Sequence, residues 1–276
     1  MHSSNPVFSR SDAFNGRGAV ATDPSQWTID MNGQPAPGYA PSAPANRMTL
    51  ESVVEKTAIT LGVVVLTAAV AWVLIGDLSS ANAMAKAGMF AMGGAIVGLV
   101  LSLVNSFKKV ISPGLVIAYA VAEGFFVGAF SKVVANYVGD ASIVFQAVLA
   151  TFVAFGGTLA AYKFFNIQVT DKFRKVVTIS VFAFAGVMIV NFVLSMFGVV
   201  EANGLHGFNT LGLIVSGVAV VLAVLMLVLD FDYIEQGVAA GLEVRESWRA
   251  AFGLTVTLIW LYIEILRILA ILRGDD

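Results

Sequence analysis

Seven ionisable side chains in or beside long apolar runs are of a type and spacing that could do chemistry. Glu123 lies in Ala122-Glu-Gly-Phe-Phe-Val-Gly128. Asp230, Asp232 and Glu235 lie in Leu229-Asp-Phe-Asp-Tyr-Ile-Glu235. Glu264 and Arg267 lie in Trp260-Leu-Tyr-Ile-Glu-Ile-Leu-Arg267, with Arg273 close behind. A charge in a membrane span costs several kcal/mol, so it faces protein or water and often marks a functional path. Carboxyls brought together in a low dielectric can share a proton near neutral pH. The same oxygens can meet a hard cation, and calcium takes carboxylate oxygens readily.

Helical spacing sorts these groups. Asp230 and Asp232 are two apart and point to nearly opposite sides. Asp232 and Glu235 share a face, as do Glu264 and Arg267. Each also has a plain structural reading. Asp230, Asp232 and Glu235 suit a solvated helix end, Glu264 and Arg267 an ion pair within one helix, and Glu123 a carboxyl bonded to a neighbouring helix.

Composition says which elements must position these residues. Of 276 residues, 58% are hydrophobic and 12% charged. A soluble domain carries about twice that charged share. Mean hydropathy is +0.85. Apolar runs near 20 residues match a hydrocarbon core of about 30 Å, and in lipid such runs must be helices. The predicted fold class is therefore an all-α polytopic membrane protein, a seven-helix bundle. Its spans are Thr57–Gly76, Ala83–Val104, Gly114–Ala135, Ile143–Phe165, Val176–Val200, Thr210–Ile234 and Ala250–Ile271. A six-span bundle follows instead if the last segment is re-entrant. The longest connection predicted is Glu235–Arg249, before the last span.

Residues 1–47 are rich in Ser, Pro, Gly, Asn and Ala, with prolines recurring through Pro35–Pro44. They read as a disordered cytoplasmic tail, and 48–276 as the transmembrane domain. No apolar core follows Met1 closely, so the tail is no signal peptide. With the N-terminus inside, twelve Lys and Arg fall on the cytoplasmic side and four outside, or ten against four without Arg10 and Arg17. That asymmetry favours a cytoplasmic N-terminus. The composition suits a bacterial plasma membrane. Gly94 and Gly98 form a GxxxG, and Gly156-Gly157 sits mid-helix. Close helix packing is the plain reading of both. Trp72, Tyr119, Trp248 and Trp260 read as interfacial anchors and core.

The sequence lacks cysteine and has two histidines, His2 and His206, so no cofactor or zinc set is expected. No basic stripe suggests nucleic acid. An intramembrane protease is disfavoured: no Gly-x-Gly-Asp lies in a span, Gly139-Asp140 falls in a loop, and neither Gly-x-Ser-Gly nor His-Glu-x-x-His occurs. No pair of broken, inverted repeats points to a secondary transporter. No enzyme is expected.

Three segments resemble the Bax inhibitor family of membrane proteins. They are Ala122–Gly128, Phe231-Asp-Tyr-Ile-Glu-Gln236 and Leu261-Tyr-Ile-Glu-Ile-Leu-Arg-Ile-Leu269. The likeness covers roughly residues 50–273. It implies a last helix surrounded by the other six, and a carboxylate pair between the last two helices acting as a pH-sensitive latch on a calcium leak. Carried over by position, that pair is Asp232 and Glu264, which would also be the calcium contacts. Asp230, Glu235, Glu123, Arg267 and Arg273 would support it. Three departures stand out. The last-helix acid is Glu rather than Asp, the stretch from Asp232 to Glu264 is longer, and the second span offers only Lys86. The predicted spans also leave the two acids about 15 Å apart in depth. The implied function is a pH-gated ion pathway for calcium, partnered by the lipid bilayer. The alternative is a regulator without transport, acting on a membrane-protein partner such as a protease.

Overall fold

The structure is a computed structural model and describes residues 46–199 and 204–274. The expected disordered tail lies outside them, up to residue 45. Among the described residues seven helices are long and apolar enough to cross a bilayer. They are α1 Leu50–Ile75, α2 Ala81–Phe107, α3 Pro113–Val138, α4 Ser142–Phe164, α5 Asp171–Met196, α6 Thr210–Ala239 and α7 Glu246–Gly274, with a short 3-10 turn Gly204–His206 before α6. The last segment is one continuous helix, so the six-span alternative falls. Odd-numbered helices start at one end of the bundle, which we term the near end. Even-numbered helices start at the far end.

Local signals fix the ends. Thr49 caps α1 in a reciprocal capping box with Ser52, Ser80 caps α2, and Asn209 caps α6. Each supplies an oxygen to an otherwise unpaired amide. α6 is stopped by a turn at Gly241, where φ is +64°. Gly241 N–H bonds to Val238 O and Leu242 N–H to Gly237 O, the pairing of a Schellman stop, which favours glycine. The connection predicted over 235–249 is thus only 240–245. The acids that end the apolar run continue the helix, because each finds a partner. Asn46 to Met48 then bond back to this turn, through Met48 N–H to Leu242 O and Val244 N–H to Asn46 O.

α7 is the most buried helix. Of its apolar stretch 67% is buried, against 11% for α5. α1, α3, α4 and α6 pack along it, while α2 stands outside α3 and α5 outside α6. The surround is therefore four helices rather than six. α2 and α5 reach α7 only through side chains, such as Phe184 against Trp260. Hydroxyl pairs set the register of α1 and α7, which run parallel. Ser52 Oγ meets Ser247 Oγ at 2.6 Å, and Thr60 Oγ1 meets Thr255 Oγ1 at 2.8 Å.

Glycine packing is selective. A Cβ on Gly94 would stand 2.7 Å from Phe126 N, and one on Gly98 would stand 2.6 Å from Glu123 Oε1. This GxxxG does seat α2 on α3. Gly156 and Gly157 have nothing near them, so the packing reading fails there. Gly124 and Gly128 on α3 instead meet α1 at Thr67 and Ala68.

Candidate functional site

Polar groups gather at two levels along α7. At the near-end level, Thr257 Oγ1 donates to Asp230 Oδ2 at 2.7 Å and to Gly253 O at 3.2 Å. Gly253 stands beside this carboxyl, and a Cβ there would lie 3.5 Å from Asp230 Oδ1, an ordinary contact. Asp230, Asn105, Tyr233 and Arg249 line a cavity of about 290 Å³. Asn105 Nδ2 donates to Leu101 O and Leu115 O, and its Oδ1 is buried without a partner among the described residues.

Asp232 points elsewhere, as a two-residue offset requires. Its Oδ2 accepts from Arg174 Nη2 at 2.6 Å and from Gln236 Nε2 at 2.8 Å. Arg174 reaches it because α5 begins at Asp171, five residues before the predicted span. Glu235 accepts from Tyr162 of α4 at 2.7 Å.

At the far-end level, Glu264 is 3% exposed. Its Oε1 stands 3.9 Å from His206 Nε2 and its Oε2 stands 3.8 Å from Arg267 Nε. Arg267 Nη1 donates to His206 O at 2.7 Å, and its guanidinium lies 5.7 Å from the Phe130 ring. His206 lies outside the spans. Burial, then the nearby Arg267 charge, pushes its pKa down to about 4.

The pair implied by the resemblance is not formed. Among the described residues no hydrogen bond or ion pair joins Asp232 to Glu264. Asp230 sits opposite Thr257, and Glu264 is seven residues further along α7. Asp232 lies two residues the other way, so the acids are about 13 Å apart along the axis. Among the described residues no three His, Asp or Glu come together.

The remaining sequence candidates separate. Glu123 packs beneath Gly98, with Tyr119 as its polar neighbour one turn earlier. Arg273 Nη1 bonds Asp140 at 2.6 Å and its Nη2 bonds Gln146 at 2.9 Å, rather than Asp232 or Glu264. Bonds from Ser142 and then Arg273 hold the Asp140 carboxyl below its ordinary range.

The profile of the family described as Bax inhibitor 1 like matches residues 5–274. The chain belongs to that family. No curated protein matches it. In this Bax inhibitor 1-like bundle, sequence reasoning missed Arg174, Thr257, Asn105 and His206. Arg174 read as a connection residue. Thr257 and Asn105 looked like ordinary small polar residues within spans. His206 reads in the sequence only against a zinc site, though its place just ahead of the sixth span is a usable signal.

Proposed function

We propose that the protein is a pH-sensitive ion pathway, leaking calcium across a bacterial plasma membrane rather than acting as an enzyme. The supporting observation is the stacking of two polar levels on α7. Asp230 with Thr257 forms one, and Glu264 with His206 and Arg267 forms the other. Ala223, Leu227, Leu258 and Leu261 fill the layer between them and are buried. An apolar layer of this kind closes a path to ions until it is wetted. The acids offer oxygen ligands at each level without forming a storage site, as passage demands.

The ten-to-four excess of Lys and Arg at the near end supports a cytoplasmic N-terminus. In this reading the latch is not one shared proton. It is the protonation of Asp230 on one side of the plug and of Glu264 on the other.

The test is calcium entry into proteoliposomes loaded with a calcium dye, across mildly acidic to mildly basic pH. Flux above protein-free vesicles is expected, with a pH dependence altered by Asp230→Asn and by Glu264→Gln. Folded wild-type chain that passes no ion at any pH would sink the proposal, and would favour the regulator without transport.

A further inference from the structure

We infer that a slot between α1 and α4 holds one acyl chain of an anionic membrane lipid. Among the described residues α1 and α4 make no direct approach. The gap is a cavity of about 540 Å³, floored by α3 and α7 at Val127, Ser131 and Tyr262. Along α1 it runs from Leu61 to Val73, about 18 Å, or more than half the hydrocarbon thickness. Its rims are exposed and apolar, with Val65 at 63% and Phe145 at 64%. The slot therefore opens sideways, at the depth where lipid tails lie.

The lining asks for an alkyl ligand. Its three hydroxyls are already bonded within the protein. Ser131 Oγ and Tyr262 Oη bond each other at 2.7 Å, and Thr151 Oγ1 donates to Ala147 O at 2.7 Å. An occupant gains nothing by offering a hydrogen bond, and buried apolar contact is what remains.

The far mouth supplies the headgroup contact. Trp72 lines the slot there, and Lys132 Nζ rests on it, 5.1 Å from the ring centroid and 2.6 Å from Trp72 O. Among the described residues Lys132 has no carboxylate partner within ion-pair distance. Asp140 beside the mouth is already bonded to Arg273. Lys132 is thus a cation at the mouth left without an ion-pair partner among the described residues, which favours a phosphate-bearing anionic headgroup over a zwitterionic one.

Trp72 provides the readout. A chain keeping Trp72, with Trp27, Trp248 and Trp260 changed to Phe, is reconstituted in phosphatidylcholine. Phosphatidylglycerol with brominated tails is then titrated in. The expected result is saturable quenching at low mole fraction, several-fold stronger than with brominated phosphatidylcholine. Filling the slot with Val65→Phe or, separately, Ala69→Phe should abolish the saturable part. Lys132→Gln should erase the headgroup preference alone. Quenching proportional to bulk brominated lipid, equal for both headgroups and indifferent to Val65→Phe, would overturn the inference. A preference that survives Lys132→Gln would overturn the headgroup assignment.

Discussion

Glu264 Oε2 and Arg267 Nε stand 3.8 Å apart on one face of α7, both buried and neither with a hydrogen-bond partner among the described residues. Each charge has the other as its main compensation. Removing one partner of a buried pair costs about 3–5 kcal/mol, because the survivor is stranded, whereas replacing both is far milder. Glu264→Ala should therefore lower thermal stability in detergent sharply, and Glu264→Ala with Arg267→Met should recover much of it. A double variant as unstable as the single one would mean that the His206 carbonyl alone satisfies Arg267.

His206 gives the bundle an acid-sensitive corner. Its pKa is about 4 in the fold against an ordinary 6.5. The folded state binds the proton less readily than the unfolded chain. Stability from this group is full above about pH 6.5 and is lost as pH falls toward 4. Asp140 is shifted down as well, but from a lower starting point, so its contribution begins to fall only near its ordinary 3.8 and below. Melting temperature followed from pH 7 to pH 4.5 should decline in the wild type and flatten in His206→Gln. An unchanged slope in that variant would assign the acid sensitivity to other groups.

Gly98 and Gly157 should answer differently to alanine. A methyl on Gly98 meets the Glu123 carboxylate, while one on Gly157 meets nothing. Gly98→Ala should cost about 1–3 kcal/mol through overpacking, and Glu123→Ala in the same chain should relieve it. Gly157→Ala should be neutral, or stabilising by up to about 1 kcal/mol from helix propensity. Equal effects at the two sites, read as urea midpoints in mild detergent, would show that Glu123 simply swings aside.

The architecture was legible because lipid leaves the backbone a single option. Apolar length alone therefore located seven helices to within a few residues at most ends. The ends that slipped were those where charge lies inside a helix. α1 starts at Leu50, α5 starts at Asp171 and α6 runs to Ala239, and a hydropathy boundary stops short of all three. The last two slips hid Arg174 from Asp232. The depth difference between Asp232 and Glu264 could be read from 1.5 Å per residue. Their actual partners could not, because Thr257, His206 and Arg174 come from other turns or helices and carry no spacing signal. The open faces of Gly156 and Gly157 show the same limit: a small residue permits close packing without producing it.

The Arg174–Asp232 bridge, 2.6 Å long, ties the first turn of α5 to the near-end turns of α6. Asp232 is 9% exposed, so losing Arg174 leaves a nearly buried carboxylate with Gln236 as its remaining bonded partner. A hydrogen bond to a charged group contributes about 1.5–3 kcal/mol, and the local loss should fall in that range. Hydrogen exchange at the amides of residues 232–239 should quicken in Arg174→Ala. Adding Asp232→Asn should slow it again, because a neutral amide tolerates the site and can still accept from Gln236. Arg174→Lys should restore only part, since a single ammonium on a different stem cannot reproduce the guanidinium geometry. Exchange that is unchanged in Arg174→Ala would mean that the turn at Gly241, with its bonds to Asn46 and Met48, holds the end of α6 without help from α5.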